Sequence, residues 1–210
     1  MKIVTYNIHK GMDSNDKFTL RKISKYLKEL DCDVICLQEV LYPQFLKLKL
    51  DLKMDGVFAA NINKPNIMYG ICTFAKSEIE NHSHILLTSE KEQRGFLYTN
   101  IFSDCGKINV INTHLGLDDS ERKKQISEIL DYTHRLVGRN LICGDMNEKN
   151  ININAFHDSA VYTNKYKSYT FEKSNARIDY IFVDKLISID NYMIDLVQYS
   201  DHYPVIVNLR

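Results

Sequence analysis

The residues in this chain that can do acid–base or metal chemistry are Asn7, Glu39, His114, Asp145, Asn147, Asp179, Asp201 and His202, and nearly all stand at the end of a short apolar run. Carboxylates, amides and imidazoles at the ends of buried segments are costly unless they pair or coordinate. A hard divalent cation takes oxygen ligands and keeps several waters, so one or two carboxylates and an amide can hold it against a phosphate. Glu39 is the first candidate ligand, with Asn7 beside it. Each also has a plainer reading: Glu39 as a solvated charge closing a strand, and Asn7 as a turn residue bonding its own backbone.

Gly144-Asp145-Met146-Asn147 is the sharpest local signal. In an extended segment residues i and i+2 point to one side, so Asp145 and Asn147 can address one point. A carboxylate there could orient or deprotonate an attacking water, with an amide donating to a phosphoryl oxygen. A tight turn is the competing reading, because Gly, Asp and Asn are all turn formers. His114 and His202 are candidates for binding a phosphoryl oxygen whose charge grows during attack, and for donating to the leaving oxygen. Asp179, an acid within the apolar stretch 177–182, needs a partner; His202 is the chosen one, and Arg177 is the alternative. Taken together the set points to metal-assisted phosphoester hydrolysis. Cys32 and Cys36 lack a second Cys or His pair at zinc spacing, and the chain has neither a Gly-rich phosphate loop nor a Ser nucleophile elbow.

The elements that must position these residues are legible in the apolar patterning. Residues 3–6, 34–37, 108–113, 141–143 and 205–207 are short and rich in β-branched side chains, which reads as buried strand. Thr19 can cap a helix with Leu20, Ile23, Leu27 and Leu30 on one face, and a second helix is expected over 42–52. Further strands are expected over 57–60, 69–75, 83–87, 95–102 and 107–114. Asp118-Asp119-Ser120-Glu121 resembles a capping box opening a helix that turns Ile126, Ile129, Leu130, Thr133 and Val137 inward and stops at Gly138. A long loop after 143, strands at 178–183 and 204–209, and a segment near 187–196 complete the pattern. Strands outnumber helices and hairpin-like neighbours are frequent, so the fold class is α/β: two mixed, largely antiparallel sheets face to face with helices outside.

The chain has 210 residues with no linker or composition shift, so one domain over 1–210 is expected. Lys plus Arg and Asp plus Glu both number 27, which removes the basic surplus that long duplex nucleic acid would favour. Cys32, Cys36, Cys72, Cys105 and Cys143 are odd in number and mostly in apolar surroundings, reading as buried free thiols of a reducing compartment. The N-terminus runs into the first strand without a signal-like stretch, and no segment approaches the roughly 20 apolar residues that span a bilayer. A cytoplasmic protein with no membrane span and no obligate protein partner is the expectation. Thirteen Tyr and nine Phe are mostly core, though Tyr6, Tyr69 and Tyr203 fall near the polar clusters.

Thr-Tyr-Asn-Ile (5–8), Leu-Gln-Glu-Val (37–40), Asn-Thr-His-Leu (112–115), Cys-Gly-Asp-Met-Asn (143–147), Arg-Ile-Asp-Tyr-Ile-Phe (177–182) and Ser-Asp-His-Tyr-Pro-Val (200–205) resemble, in order and spacing, the endonuclease/exonuclease/phosphatase superfamily. The resemblance implies a four-layer α/β sandwich, Mg2+ or Mn2+, and in-line attack of water on a phosphodiester or phosphomonoester. It implies Glu39 as main metal ligand adjoined by Asn7, Asp201 as a ligand or second-metal residue, and Asp145 as the residue acting on water. Asn147 would contact phosphate, His202 paired with Asp179 would stabilise the phosphorane, and His114 would be the second phosphate-contacting or acid histidine. Arg94 matches a family position ahead of a central strand and, with Tyr69, is expected to contact substrate. The substrate is expected to be a small-molecule phosphoester or a short or single-stranded nucleic acid; a silent phosphate-binding scaffold is the alternative of another class. Pancreatic-type deoxyribonucleases place a Glu ahead of the strand matching residues 69–75 to pair with the histidine matching His114, whereas this chain has Met68 and Tyr69, a departure that counts against that subfamily.

Overall fold

A computed structural model describes residues 1–103 and 106–210. In chain order these form β1 (Lys2–Asn7), α1 (Leu20–Leu30), β2 (Val34–Leu41), α2 (Tyr42–Leu52), β3 (Asp55–Lys64), β4 (Ile67–Ala75), β5 (Ile79–Leu86), β6 (Gly95–Ser103), β7 (Gly106–His114), α3 (Asp119–Thr133), β8 (Arg139–Asp145), β9 (Phe156–Asp158), α4 (Ser159–Tyr162), β10 (Asp179–Asp184), β11 (Ile189–Ile194) and β12 (Val205–Leu209), with a 3-10 turn at His9–Gly11.

The strands make two six-stranded sheets, ordered β11-β12-β1-β2-β4-β3 and β5-β6-β7-β8-β10-β9. Each is antiparallel except for one parallel pair, β1 with β2 and β7 with β8. A parallel neighbour needs a long crossover, and α1 and α3 supply it in the two sheets. Three apolar clusters define four layers. Ile3, Val34, Cys36, Val110, Cys143, Ile181 and Val207 pack between the sheets. Val4, Ile35, Leu37, Phe45 and Phe74 pack with Ile23 and Leu27 under α1 and α2. Phe96, Ile111, Ile142 and Phe182 pack with Ile129 under α3. The fold is the α/β sandwich expected.

Local chemistry departs from expectation at three places. Thr19 sits at the N-cap of α1, but its hydroxyl donates to the Tyr199 carbonyl and ties the helix to the segment before Asp201. Asp118 caps α3 by accepting from the amides of Ser120 and Glu121, whereas the Glu121 side chain accepts from Gln125 Nε2 and does not reach back. Helix α3 ends at Thr133, and Val137 is 94% exposed, contrary to the inward placement read from its periodicity. The chain must turn there to enter β8, and tight i to i−3 bonds from Arg135 and Leu136 start the turn well before Gly138. Within the long loop, β9 and α4 are too short for periodicity to betray them. Cys32, Cys36, Cys72 and Cys143 are buried free thiols; Cys105 lies outside the described residues. Among the described residues no helix is long and apolar enough to cross a membrane.

The register explains where function can reside. Gly95, His114, Asp145 and Asp179 stand opposite one another across β6, β7, β8 and β10. In the other sheet Asn7 faces Gln38, and Thr5 pairs with Val205, which brings the start of β12 to the same end. Gln38 Nε2 donates to Asn112 Oδ1 at 2.6 Å, and Asn112 Nδ2 donates to the carbonyls of Leu37 and Cys72, so the sheets are stitched together beneath that end.

Candidate active site

Asn7 closes β1 with no solvent exposure. Its Oδ1 accepts from the His9 amide at 3.0 Å, the turn behaviour read as its plainer role, while Nδ2 donates to Asp145 Oδ2 at 3.0 Å and faces Glu39 Oε1 at 3.3 Å. The turn reading of Asn7 therefore holds, and the same side chain also reaches Asp145 and Glu39. In a regular strand Glu39 would share the face of Leu37, which packs under the helices. A bulge between Leu37 and Val40 breaks that alternation, and Glu39 adopts φ +55°, a left-handed conformation that costs a non-glycine residue about 1 kcal/mol or more. That distortion delivers the carboxylate to the strand end.

Asp145, at the end of β8, is the hub. Its Oδ2 lies 3.0 Å from Asn7 Nδ2, 3.5 Å from His114 Nε2 and 3.6 Å from His202 Nε2, while Oδ1 accepts from the Asn147 amide at 2.9 Å. His202 Nδ1 meets Asp179 Oδ2 at 2.9 Å. Arg177 is instead paired with Asp158 at 2.7 Å, which removes it as partner to Asp179. The other Asp179 oxygen is buried with no partner among the described residues. Asn147 does not continue an extended segment: with φ +50° it turns away, and its Nδ2 donates to the Leu115 carbonyl at 2.8 Å. Tyr69 is buried beside Glu39, with Lys10 Nζ 5.5 Å over its ring.

The two histidines are electrically unlike. Burial opposes charge on His202, but Asp179 and Asp145 together outweigh it and raise its pKa to about 10. His114 is pushed well below its ordinary value, first by burial and then by the neighbouring Arg94 guanidinium. Burial raises Asp145 to about 7, with Asp179 adding to the effect and His202 opposing it. The surroundings thus favour the charged form of His202 and the neutral forms of His114 and Asp145, relative to each group's ordinary behaviour.

The sequence profile of the endonuclease/exonuclease/phosphatase family matches residues 4–202. The chain belongs to that family. It is 27% identical over 168 residues to YbhP of Escherichia coli K12, a match covering 70% of this chain and 66% of YbhP, so it takes in just under two thirds of that relative's length. Its fold superimposes on Danio rerio TDP2 complexed with single strand DNA product at a TM-score of 0.83, with 17% identity over 100% of this chain and 98% of that one. It superimposes on the mannosyl-6-phosphatase of Bacteroides thetaiotaomicron at 0.80, with 16% identity over 100% and 99%. At those identities the likeness establishes the shared fold.

Two donor sets in this family member could take a cation. Glu39, Asn7 and Asp201 offer only oxygen, which suits Mg2+ or Mn2+ and disfavours zinc. Asp145, Asp179 and His202 present ligand atoms within 4.8 Å of one another, although the Asp179–His202 bond occupies part of that set. In the first set Lys10 Nζ stands 3.7 Å from Glu39 and Lys173 Nζ 3.5 Å from Asp201, long contacts from exposed side chains that leave carboxylate lone pairs open. His9 Nδ1 lies 3.6 Å from Asp201. His9, Lys10, Lys173 and Glu92 escaped the reading of the sequence; only the two directly following the Asn7-Ile8 strand end carried a usable signal.

Proposed function

We propose that this chain is a divalent-metal-dependent phosphoric ester hydrolase that cleaves a phosphodiester or phosphomonoester by in-line attack of water. The observation that carries the reading is the convergence of Asn7, His114 and His202 on Asp145 Oδ2, with Asp179 behind His202. A buried carboxylate costs stability unless it is paired, and the three groups gathered on this one also fit the oxygens of a tetrahedral phosphate. In this reading Asp145 orients or deprotonates the attacking water. His202, kept charged by Asp179, donates Nε2–H to the phosphoryl oxygen whose charge grows, and His114 contacts a second oxygen. Asn147 retains an amide N–H for phosphate after bonding Leu115. A divalent cation held by Glu39, Asn7 and Asp201 would polarise the phosphoryl group and neutralise developing charge.

The likeness to a TDP2 complexed with single strand DNA product supports a second reading, action on short or single-stranded nucleic acid. The balanced charge of the chain argues against grip on long duplex. The test measures turnover of bis(p-nitrophenyl) phosphate, p-nitrophenyl phosphate and a labelled oligonucleotide side by side, with Mg2+, with Mn2+ and in chelator. Metal-dependent turnover of at least one is expected. Full activity in chelator would refute the metal assignment, and phosphate binding without turnover of any substrate would favour the silent scaffold.

A further inference from the structure

The two imidazoles that meet Asp145 are held by opposite kinds of partner. Behind His202 stands a carboxylate, which accepts the Nδ1 proton. Behind His114 stands Arg94, whose Nη1 lies 3.2 Å from His114 Nδ1. A guanidinium has five N–H donors and no acceptor, so Nδ1 must present its lone pair and the ring proton must reside on Nε2, the atom 3.5 Å from Asp145 Oδ2. The same Nη1 also meets Glu92 Oε1 at 2.7 Å. Arg94 is 7% exposed and His114 5%, so their contact is buried, while Glu92 reaches the guanidinium from the surface.

The segment carrying Arg94 is built to keep it there. The Arg94 amide donates to Ser89 Oγ at 2.9 Å, and its carbonyl accepts from Leu87 N and from Gln93 Nε2. Gly95 follows directly opposite His114, and a Cβ there would fall 2.6 Å from Asn61 Oδ1, so the chain passes too closely for a side chain.

We infer that Arg94 is a positioning residue rather than a substrate ligand: oriented by Glu92, it fixes His114 as the Nε2–H tautomer, a directed hydrogen-bond donor to the phosphoryl group. The inference assigns different tasks to the two histidines. His202 is backed by a carboxylate that accepts from its Nδ1–H, whereas His114 donates a hydrogen bond with a ring whose second nitrogen already accepts from Arg94 and hands over no proton. The tautomer rests on geometry alone; the catalytic consequence rests on the proposed hydrolysis.

The experiment reads the two separately. Long-range 1H–15N NMR of metal-free protein, with the His114 signal assigned by its loss in His114→Asn, reports which nitrogen is protonated. The wild type is expected to show Nε2–H and a bare Nδ1 from pH 6 to 8, whether or not any substrate is ever found. Arg94→Met removes the donor at similar length and should mix the tautomers, lowering kcat by about 10-fold to 100-fold with KM little changed, as loss of an orienting partner typically does. Arg94→Lys should restore the Nε2–H signal and part of kcat. Glu92→Gln, at a partly exposed position that leaves the fold undisturbed, should give the same change in weaker form and serves if Arg94→Met does not fold. An Nδ1–H signal in the wild type overturns the inference, as does an unaltered tautomer in Arg94→Met accompanied by a raised KM, the mark of a substrate ligand.

Discussion

Asp145 is fully buried against another carboxylate's field, and its tolerance of that position depends on the charge of His202. The charge depends in turn on Asp179. His202 has a folded-state pKa raised to about 10, above the ordinary histidine value, so the folded form binds the proton more tightly than the unfolded one. Its contribution to stability is fully present below about pH 6.5 and is lost as pH rises through 10. Asp179→Asn should therefore lower the melting temperature most at pH 6, with the gap to wild type narrowing towards pH 10; a gap independent of pH would deny the coupling. In activity, His202→Ala should cost ~10²–10³ in kcat, the usual worth of a preorganised donor, without moving the metal requirement. Glu39→Ala should instead raise the metal concentration for half-maximal rate. Metal titrations of steady-state rate distinguish them, and rescue of His202→Ala by added metal would mean the roles are misassigned.

At the scale of elements, β2 is the part that bends to serve the site. Glu39 at φ +55° sits where glycine is at ease and other residues are strained. The ordinary ranking should invert there: Glu39→Gly is expected to be more stable than Glu39→Ala by about 1 kcal/mol in denaturant unfolding. Equal stability would mean the strain is relieved elsewhere. This is also where reading from sequence reached its limit. The strand ends could be located because apolar runs stop at Asn7, His114 and Asp145, and α2 was readable to its ends at Tyr42 and Leu52. The bulge at Glu39, the left-handed turn at Asn147 and the early end of α3 depend on through-space packing, which local pattern does not carry. The partner of Asp179 could be chosen because buried acids demand one. The guanidinium on His114 came from a loop whose course only tertiary bonding fixes.

For the molecule as a whole, the candidate metal ligands come from β1, from β2 and from the segment before β12, so any ion they hold should stabilise the fold they share. Mg2+ or Mn2+ at 100 times its dissociation constant should add about 2.7 kcal/mol. For a chain of this size that is a rise of roughly 2–4 °C per kcal/mol, readable by calorimetry with and without chelator. No shift at saturating metal in wild type would remove the ion from the mechanism. In Glu39→Ala the shift should require higher metal concentration, matching the kinetic requirement above.

The place of β12 in its sheet has a consequence for the timing of biosynthesis. It lies between β11 and β1, pairing Ile206 with Val4 on one side and with Met193 on the other. The strand made first thus waits for residues made nearly two hundred codons later, and Asp201-His202 arrives with them. Until residues 201–209 are made, a nascent chain carries Asn7, Glu39, His114 and Asp145 but lacks Asp201 and His202, and the place of β12 in its sheet is unfilled. The candidate site thus becomes complete at the same step that closes the sheet between β11 and β1.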